Sequence, residues 1–111
     1  MIATRDSGMS RILRVTEPAQ QDLVEIWLIL EPYGVEFADQ CINAIQRKFV
    51  QLQQFPGLGR SREDLVPGLR SVVVRDIVIF YRSLEGLVVI ARVIHGRRDL
   101  NRIMNDLPPE N

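Results

Sequence analysis

The chain is poor in the residues that build metal centres and disulfides. Its 111 residues include one cysteine, Cys41, and one histidine, His95. A single cysteine excludes an internal disulfide and any multi-cysteine zinc site. A metal site would have to be assembled largely from carboxylates, and their spacing suggests none, so neither metal nor cofactor is expected. Long apolar runs are also missing. None approaches the roughly 18 residues needed to span a membrane. The opening "MIATRDSGMS" has no apolar core of signal-peptide length. These absences lead us to expect a cytoplasmic protein with no membrane association. Met1 to Gly8 read as a flexible leader, Met9 as a second candidate start, residues 11–107 as one domain and 108–111 as a tail.

Net charge is also absent, at +0 overall. Wholesale attraction to nucleic acid is therefore not indicated, but charge placement is uneven. Thirteen of the fourteen basic residues are arginine, and eight of these lie between Arg60 and Arg98. The acidic residues gather largely in the first 40 positions and at the two ends of the C-terminal half. A neutral molecule can thus carry a basic face.

What is present reads as an α+β domain. "RILRVT" (11–16) has the content of a short strand. Thr16 offers an N-cap, with Glu17 and Pro18 in the first turn. Leu23, Ile26, Trp27 and Leu30 then repeat as one helical stripe. "EPYG" (31–34) breaks that helix. A second helix is expected from about Val35 to Phe55, with the stripe Ala38, Cys41, Ile42, Ile45, Phe49 and Leu52. Cys41 reads as a small core residue rather than a reactive thiol, since no cationic neighbour lies close in sequence.

"FPGLGRSREDLVPGLR" (55–70) is turn-rich and reads as a loop. Three β-branched runs follow, over 69–75, 77–82 and 87–95, with "SLEG" as a hairpin turn. Leu100, Ile103, Met104 and Leu107 close the pattern as a short helix that Asp99 is placed to cap, stopped by the prolines at 108 and 109. The expected fold is an antiparallel sheet, the first strand added to a three-stranded meander, packed against an α-helical hairpin, with a short C-terminal helix.

Strand alternation assigns the polar residues to faces. Arg70, Val72 and Val74 share one side of the first meander strand, with Ser71, Val73 and Arg75 on the other. Tyr81 lies with Ile77 and Ile79, and Arg82 with Val78 and Phe80. Arg92 is expected beside Ile90 and Ile94, and His95 beyond Val89, Ala91 and Val93. The arginines read either as rim residues paired with carboxylates or as a concave surface for an acidic partner or phosphates. Histidine is the side chain suited to general-base work at neutral pH, and His95 is the one this chain offers. Arg97 and Arg98 could stabilise developing charge, and Tyr81 could reach in from the neighbouring strand. A lone histidine at a strand end is more often structural, and both readings stand.

Residues 56–100 closely resemble the ParE branch of the RelE/ParE toxin superfamily of type II toxin–antitoxin and plasmid-stabilisation modules. The resemblance is carried by "PGLGRSREDL", "GLRS", "IFYR" and "RVIHGRRDL", and the earlier "AQQDLVEIW" fits the family's first helix. It implies a toxin that poisons DNA gyrase and is held inactive by a cognate antitoxin, typically a ParD-like ribbon–helix–helix protein with a disordered tail. Arg60, Arg62, Arg70, Arg82, Arg97 and Arg98 are then the candidate antitoxin- or target-binding residues. The alternative within the superfamily is a RelE-like, ribosome-dependent messenger endoribonuclease, for which His95, Arg97 and Tyr81 are the catalytic candidates. The chain departs from that nuclease pattern. Val72 and Val74 stand where RelE-like proteins carry lysines, and "DLNRIMNDL" holds neither tyrosine nor histidine. Aliphatic side chains neither activate a 2′-hydroxyl nor stabilise a charged phosphorane.

Overall fold

In the computed structural model, residues 11–96 are described. The chain runs β1 (Ile12–Val15), α1 (Glu17–Leu30), a 3-10 turn (Glu31–Tyr33), α2 (Val35–Gln54), β2 (Arg60–Ser61), β3 (Leu69–Val74), β4 (Ile77–Leu84) and β5 (Leu87–His95). The five strands form one sheet in the order β1-β5-β4-β3-β2, and the helical hairpin lies on one of its faces.

Thr16 sets the first corner. Its backbone is extended (ψ 161°) and its hydroxyl oxygen accepts the Ala19 N–H at 3.2 Å, so it caps α1 as the sequence suggests. The same hydroxyl donates to the Ala91 carbonyl at 3.0 Å, which ties the helix start to β5. Leu30 ends α1, the 3-10 turn reverses the chain, and Gly34 begins α2 at φ 130°, where only glycine sits without strain. The hairpin is latched further along by Trp27, whose indole N–H donates to Asp39 at 2.8 Å.

One core fills the space between hairpin and sheet. Ala19, Ile26 and Leu30 from α1 and Ala38, Cys41, Ile45, Phe49 and Leu52 from α2 meet Ile77, Ile79, Tyr81, Val88, Ile90 and Val93. Each large aliphatic side chain buried there stabilises the fold by about 1.5–3 kcal/mol relative to exposure. The expected helix stripes are thus found, with Ile42, Leu23 and Trp27 only partly buried. A second, smaller cluster lies on the opposite face: Leu69, Phe80 and Ile94, joined by Leu65, Val66 and Val78. We call this the open face, because no helix of residues 11–96 lies on it, although Leu69, Phe80 and Ile94 are themselves buried.

Three sequence expectations are corrected. The sheet is mixed rather than antiparallel: β1 pairs with β5 in parallel, Ile12 opposite Leu87 and Val15 opposite Ile90. The hairpin returns the chain to the far edge of the sheet, so the first and last strands meet pointing the same way. The loop over 55–70 contains β2, which pairs with β3 at Arg60↔Ser71 and Ser61↔Arg70. Alternation in β5 fails at a bulge, since Phe80 pairs with Arg92 but Tyr81 pairs with Ile90, leaving Ala91 unmatched. Ile90 and Val93 therefore both face the helices while Ile94 faces away. The expected C-terminal helix lies outside the described residues.

The bulge has a partner. Arg92 is turned onto Asp22 of α1 as a two-pronged ion pair, Nε to Oδ2 at 2.7 Å and Nη2 to Oδ1 at 2.8 Å. The Val93 N–H donates to the same Oδ2 at 2.9 Å. β1 pairs only as far as Ile90, so Asp22 caps the edge of β5 where the neighbouring strand ends.

Candidate partner-binding site

The loop between α2 and β3 is fixed by Tyr81. This side chain is fully buried, and its hydroxyl donates to the Pro56 carbonyl at 2.7 Å while accepting the Gly59 N–H at 2.8 Å. Burial pushes its phenol pKa up, against the opposing pull of the Gly59 N–H and the Arg70 charge. Gly59 admits no side chain, because a Cβ would stand 2.6 Å from the Tyr81 hydroxyl and 2.7 Å from the Ser71 carbonyl. Arg70, opposite Tyr81 across the β3–β4 ladder, donates to the Gly59 carbonyl. Tyr81 and Arg70 are thereby both engaged in holding this loop against the sheet.

The open face receives other arginines. Arg62 lies over the Phe80 ring, 5.8 Å from its centroid, within cation–π range. It also pairs with Asp64 at 3.2 Å, and this hydrogen bond holds the Asp64 carboxyl below the usual carboxylate range. Arg82 stands opposite Leu69 and is nearly buried, at 8% exposure. The loop beneath them is braced by Glu63, which accepts the Gly68 N–H at 2.9 Å. Arg60 is exposed on β2 at the sheet edge. The aromatic and aliphatic centre of this face is itself buried, Leu69 and Phe80 at 0% and Ile94 at 3% exposure, with Arg60 exposed at its edge.

His95 pairs with Ile77 at the far end of the sheet. It borders a small cavity of about 60 Å³ on the helix side, shared with Leu30, Phe37, Cys41 and the Arg75–Asp76 turn. On the open side the same turn and His95 border a groove of about 550 Å³ with Val73, Val78 and Gly96. Burial pushes the Cys41 thiol pKa up, as expected for a core cysteine.

The structure therefore distributes the residues singled out in the sequence. Arg62 and Arg82 meet on the open face, Arg60 lies at its edge, and Arg70 points the other way. Tyr81 and His95 are four β4 positions apart by register, about 13 Å along the strand, and are not brought together. Arg97 and Arg98 lie outside the described residues. Among the described residues there is no group of three His, Cys, Asp or Glu side chains able to hold a metal, and no helix long and apolar enough to cross a membrane. Sequence reasoning missed Phe80 as the centre of the open face, Gly59 as the point of closest backbone approach, and Asp22. The signal for Gly59 was its place in "PGLGRS", where a second glycine exceeds what one turn requires.

Comparison with known proteins places this arrangement. The family model described as "ParE toxin of type II toxin-antitoxin system, parDE" matches residues 13–100. Toxin ParE3 of Caulobacter vibrioides is 40% identical over 93 residues, covering 83% of this chain and 92% of that protein. Toxin ParE1 of Mycobacterium tuberculosis is 31% identical over 96 residues, covering 85% and 98% respectively. Among solved structures, the chromosomal ParDE toxin–antitoxin system from P. aeruginosa superposes with a TM-score of 0.70 at 26% identity, covering 82% of this chain and all of that one. A double mutant of the E. coli toxin RelE in the free state shares the fold, with a TM-score of 0.59 at 15% identity over 88% of this chain and 94% of its own.

Proposed function

The chain belongs to the ParE family of type II toxin–antitoxin toxins, and from that premise we propose that it arrests growth by binding DNA gyrase rather than by turnover. In this reading a cognate, ParD-like ribbon–helix–helix antitoxin, encoded beside the toxin, neutralises it through an acidic tail that folds on binding. The observation that carries the reading is the family match over residues 13–100.

The geometry supports a binding role. Arg60 is exposed at the edge of this face and Arg62 lies over the buried Phe80 ring beside it, which suits a segment carrying carboxylates. The Tyr81 hydroxyl is saturated by Pro56 and Gly59, so it has no proton to spare for an incoming phosphate or ribose. Val72 and Val74 pack against the helix-side core, so neither position presents a group to a substrate on the open face.

The test is a gyrase supercoiling assay with purified toxin. Inhibition with trapped cleaved DNA at micromolar protein is the expected result, and relief on adding the antitoxin follows from it. No inhibition, together with codon-positioned cuts in translated messages that vanish in His95→Ala or Arg97→Ala, would instead make the protein a ribosome-dependent nuclease.

A further inference from the structure

We propose that the solvent face of α1, centred on Val24 and Leu28 and edged by Glu17, Glu25 and Glu31, is the surface that grips the toxin's target. Its occupant is a cationic protein surface that also bears aliphatic side chains. The proposal rests on the gyrase reading above and specifies which face of the toxin meets the enzyme.

α1 carries two stripes where a surface helix needs one. Ala19, Asp22, Ile26 and Leu30 are buried on its inner side. On its back, Glu17, Gln21, Val24, Leu28 and Glu31 follow one another at spacings of 4, 3, 4 and 3, so they form a single row, and all five are exposed. The backbone at Glu31 keeps helical angles (φ -56°, ψ -37°), so the row runs unbroken for about 21 Å. Its middle is aliphatic, with Val24 55% and Leu28 58% exposed.

The back of α2 has the same spacing and a different chemistry. Glu36, Gln40, Asn43, Arg47, Val50 and Gln54 are likewise exposed, and only Val50 among them is apolar. Val24 and Leu28 belong to neither core cluster, so the packing of this chain does not account for them. Adjacent aliphatic side chains kept in water and edged by charge mark a contact surface.

Charge selects the occupant. Residues 15–46 hold six carboxylates and neither lysine nor arginine. Glu17 and Glu31 stand at the two ends of the row and Glu25 beside its middle, all exposed. Such a face repels nucleic acid and anionic lipid. A second copy fits poorly, because pairing α1 with α1 would crowd carboxylates together with no cation on the helix to offset them. An acidic antitoxin tail is repelled for the same reason and is drawn to the arginines on the other side of the sheet. A surface with lysine or arginine around aliphatic groups fits. An enzyme that handles DNA must carry cationic surfaces to hold phosphates, and an acidic ridge with an apolar crest suits one of these.

The experiment compares three variants of the full-length toxin in gyrase supercoiling. Val24→Gln with Leu28→Gln removes the crest and keeps good helix formers. Glu25→Lys with Glu31→Lys reverses the edge, and Val50→Gln on the back of α2 is the control. Thermal unfolding and binding to the antitoxin co-expressed from the adjacent reading frame establish that each is folded. Both double variants should need at least about tenfold more protein for half-inhibition, while Val50→Gln inhibits as the parent does. Inhibition by the parent should weaken with added salt, and the charge-reversed variant should lose that dependence. If the folded Val24, Leu28 variant inhibits gyrase as the parent does, the proposal is overturned and the gyrase reading stands. Antitoxin binding lost in step with inhibition would assign the face to the antitoxin and overturn the proposed occupant. If the parent does not inhibit gyrase, that reading falls and growth arrest on expression decides the face. Double variants that still arrest growth then overturn the proposal, and variants that bind antitoxin without arresting growth uphold it for another cationic target. A parent that neither inhibits gyrase nor arrests growth sinks both.

Discussion

Asp22 is the most consequential polar residue in the fold, and its removal gives the sharpest test of how the hairpin is fastened to the sheet. Asp22 is 6% exposed, and its carboxylate accepts three hydrogen bonds, two from Arg92 and one from the Val93 N–H. Asp22→Ala removes both hydrogen bonds that this carboxylate makes to Arg92, whose side chain is only 16% exposed. Breaking a buried pair by deleting one partner costs about 3–5 kcal/mol. Arginine's long stem can carry part of the charge toward water, which favours the low end of that range. The orphaned Val93 N–H adds to it, so a loss of about 4 kcal/mol is expected, a large share of the roughly 5–15 kcal/mol that holds a domain together. Asp22→Asn keeps one acceptor and should lose about half as much, roughly 2 kcal/mol. The double variant Asp22→Leu, Arg92→Met removes both charges and should be more stable than Asp22→Ala, since neither ion then remains to be desolvated. Urea unfolding at constant m-value measures the series, and the Asp22→Ala midpoint on heating should fall by about 20 °C. A loss below about 1 kcal/mol for Asp22→Ala, or a double variant no better than it, would refute the claim that this pair bears on stability.

Other outcomes follow from the loop and the turn. Gly59→Ala should destabilise by about 2–3 kcal/mol, because its Cβ would meet the Ser71 carbonyl as well as Tyr81, and thermal unfolding measures it. Tyr81→Phe leaves the Gly59 N–H and Pro56 carbonyl unpaired at about 1–3 kcal/mol, read by the same assay. The raised Tyr81 pKa gives a signed pH effect: its contribution is fully present below the unfolded phenol value of about 10 and is lost as pH rises through the folded value. In an ultraviolet alkaline titration, the phase absent from Tyr81→Phe should therefore lie above that value and coincide with loss of structure. Arg75→Gly should stabilise the fold by about 1 kcal/mol by relieving its left-handed backbone, measured by urea midpoint. Cys41 should resist a colorimetric thiol reagent at neutral pH until the protein unfolds.

Much of the architecture was legible because it is written in local periodicity. The stripe Ala38, Cys41, Ile45, Phe49, Leu52 repeats at helical spacing, and all five residues are buried where expected. Thr16 announced its cap, and "SLEG" its turn. The direction of β1 was not legible, since no residue in "ILRV" records whether its neighbour runs with it or against it; that is settled only when the hairpin has folded back. The bulge at Ala91 was hidden for a related reason. Strict alternation is the default reading of an apolar run, and the irregularity sits beside Arg92, whose partner Asp22 lies 70 residues away. Asp22 itself looks like an ordinary helix-surface acid until β5 supplies its partner. The candidate site was half legible. The arginines could be listed from sequence, but which of them share a face depends on register and on the Tyr81 clamp.

The parallel seam between β1 and β5 also sets a schedule for the newborn chain. Thr16 bonds to Ala91, 75 residues later, so the first strand has no place to lie until nearly the whole domain has left the ribosome. The helical hairpin can form early from neighbouring contacts, while closure of the sheet is a late, long-range event. A polypeptide interrupted anywhere before Leu87 lacks the strand on which both β1 and α1 are anchored. Products interrupted there are therefore expected to lack the closed sheet, which arises only once β5 has been made.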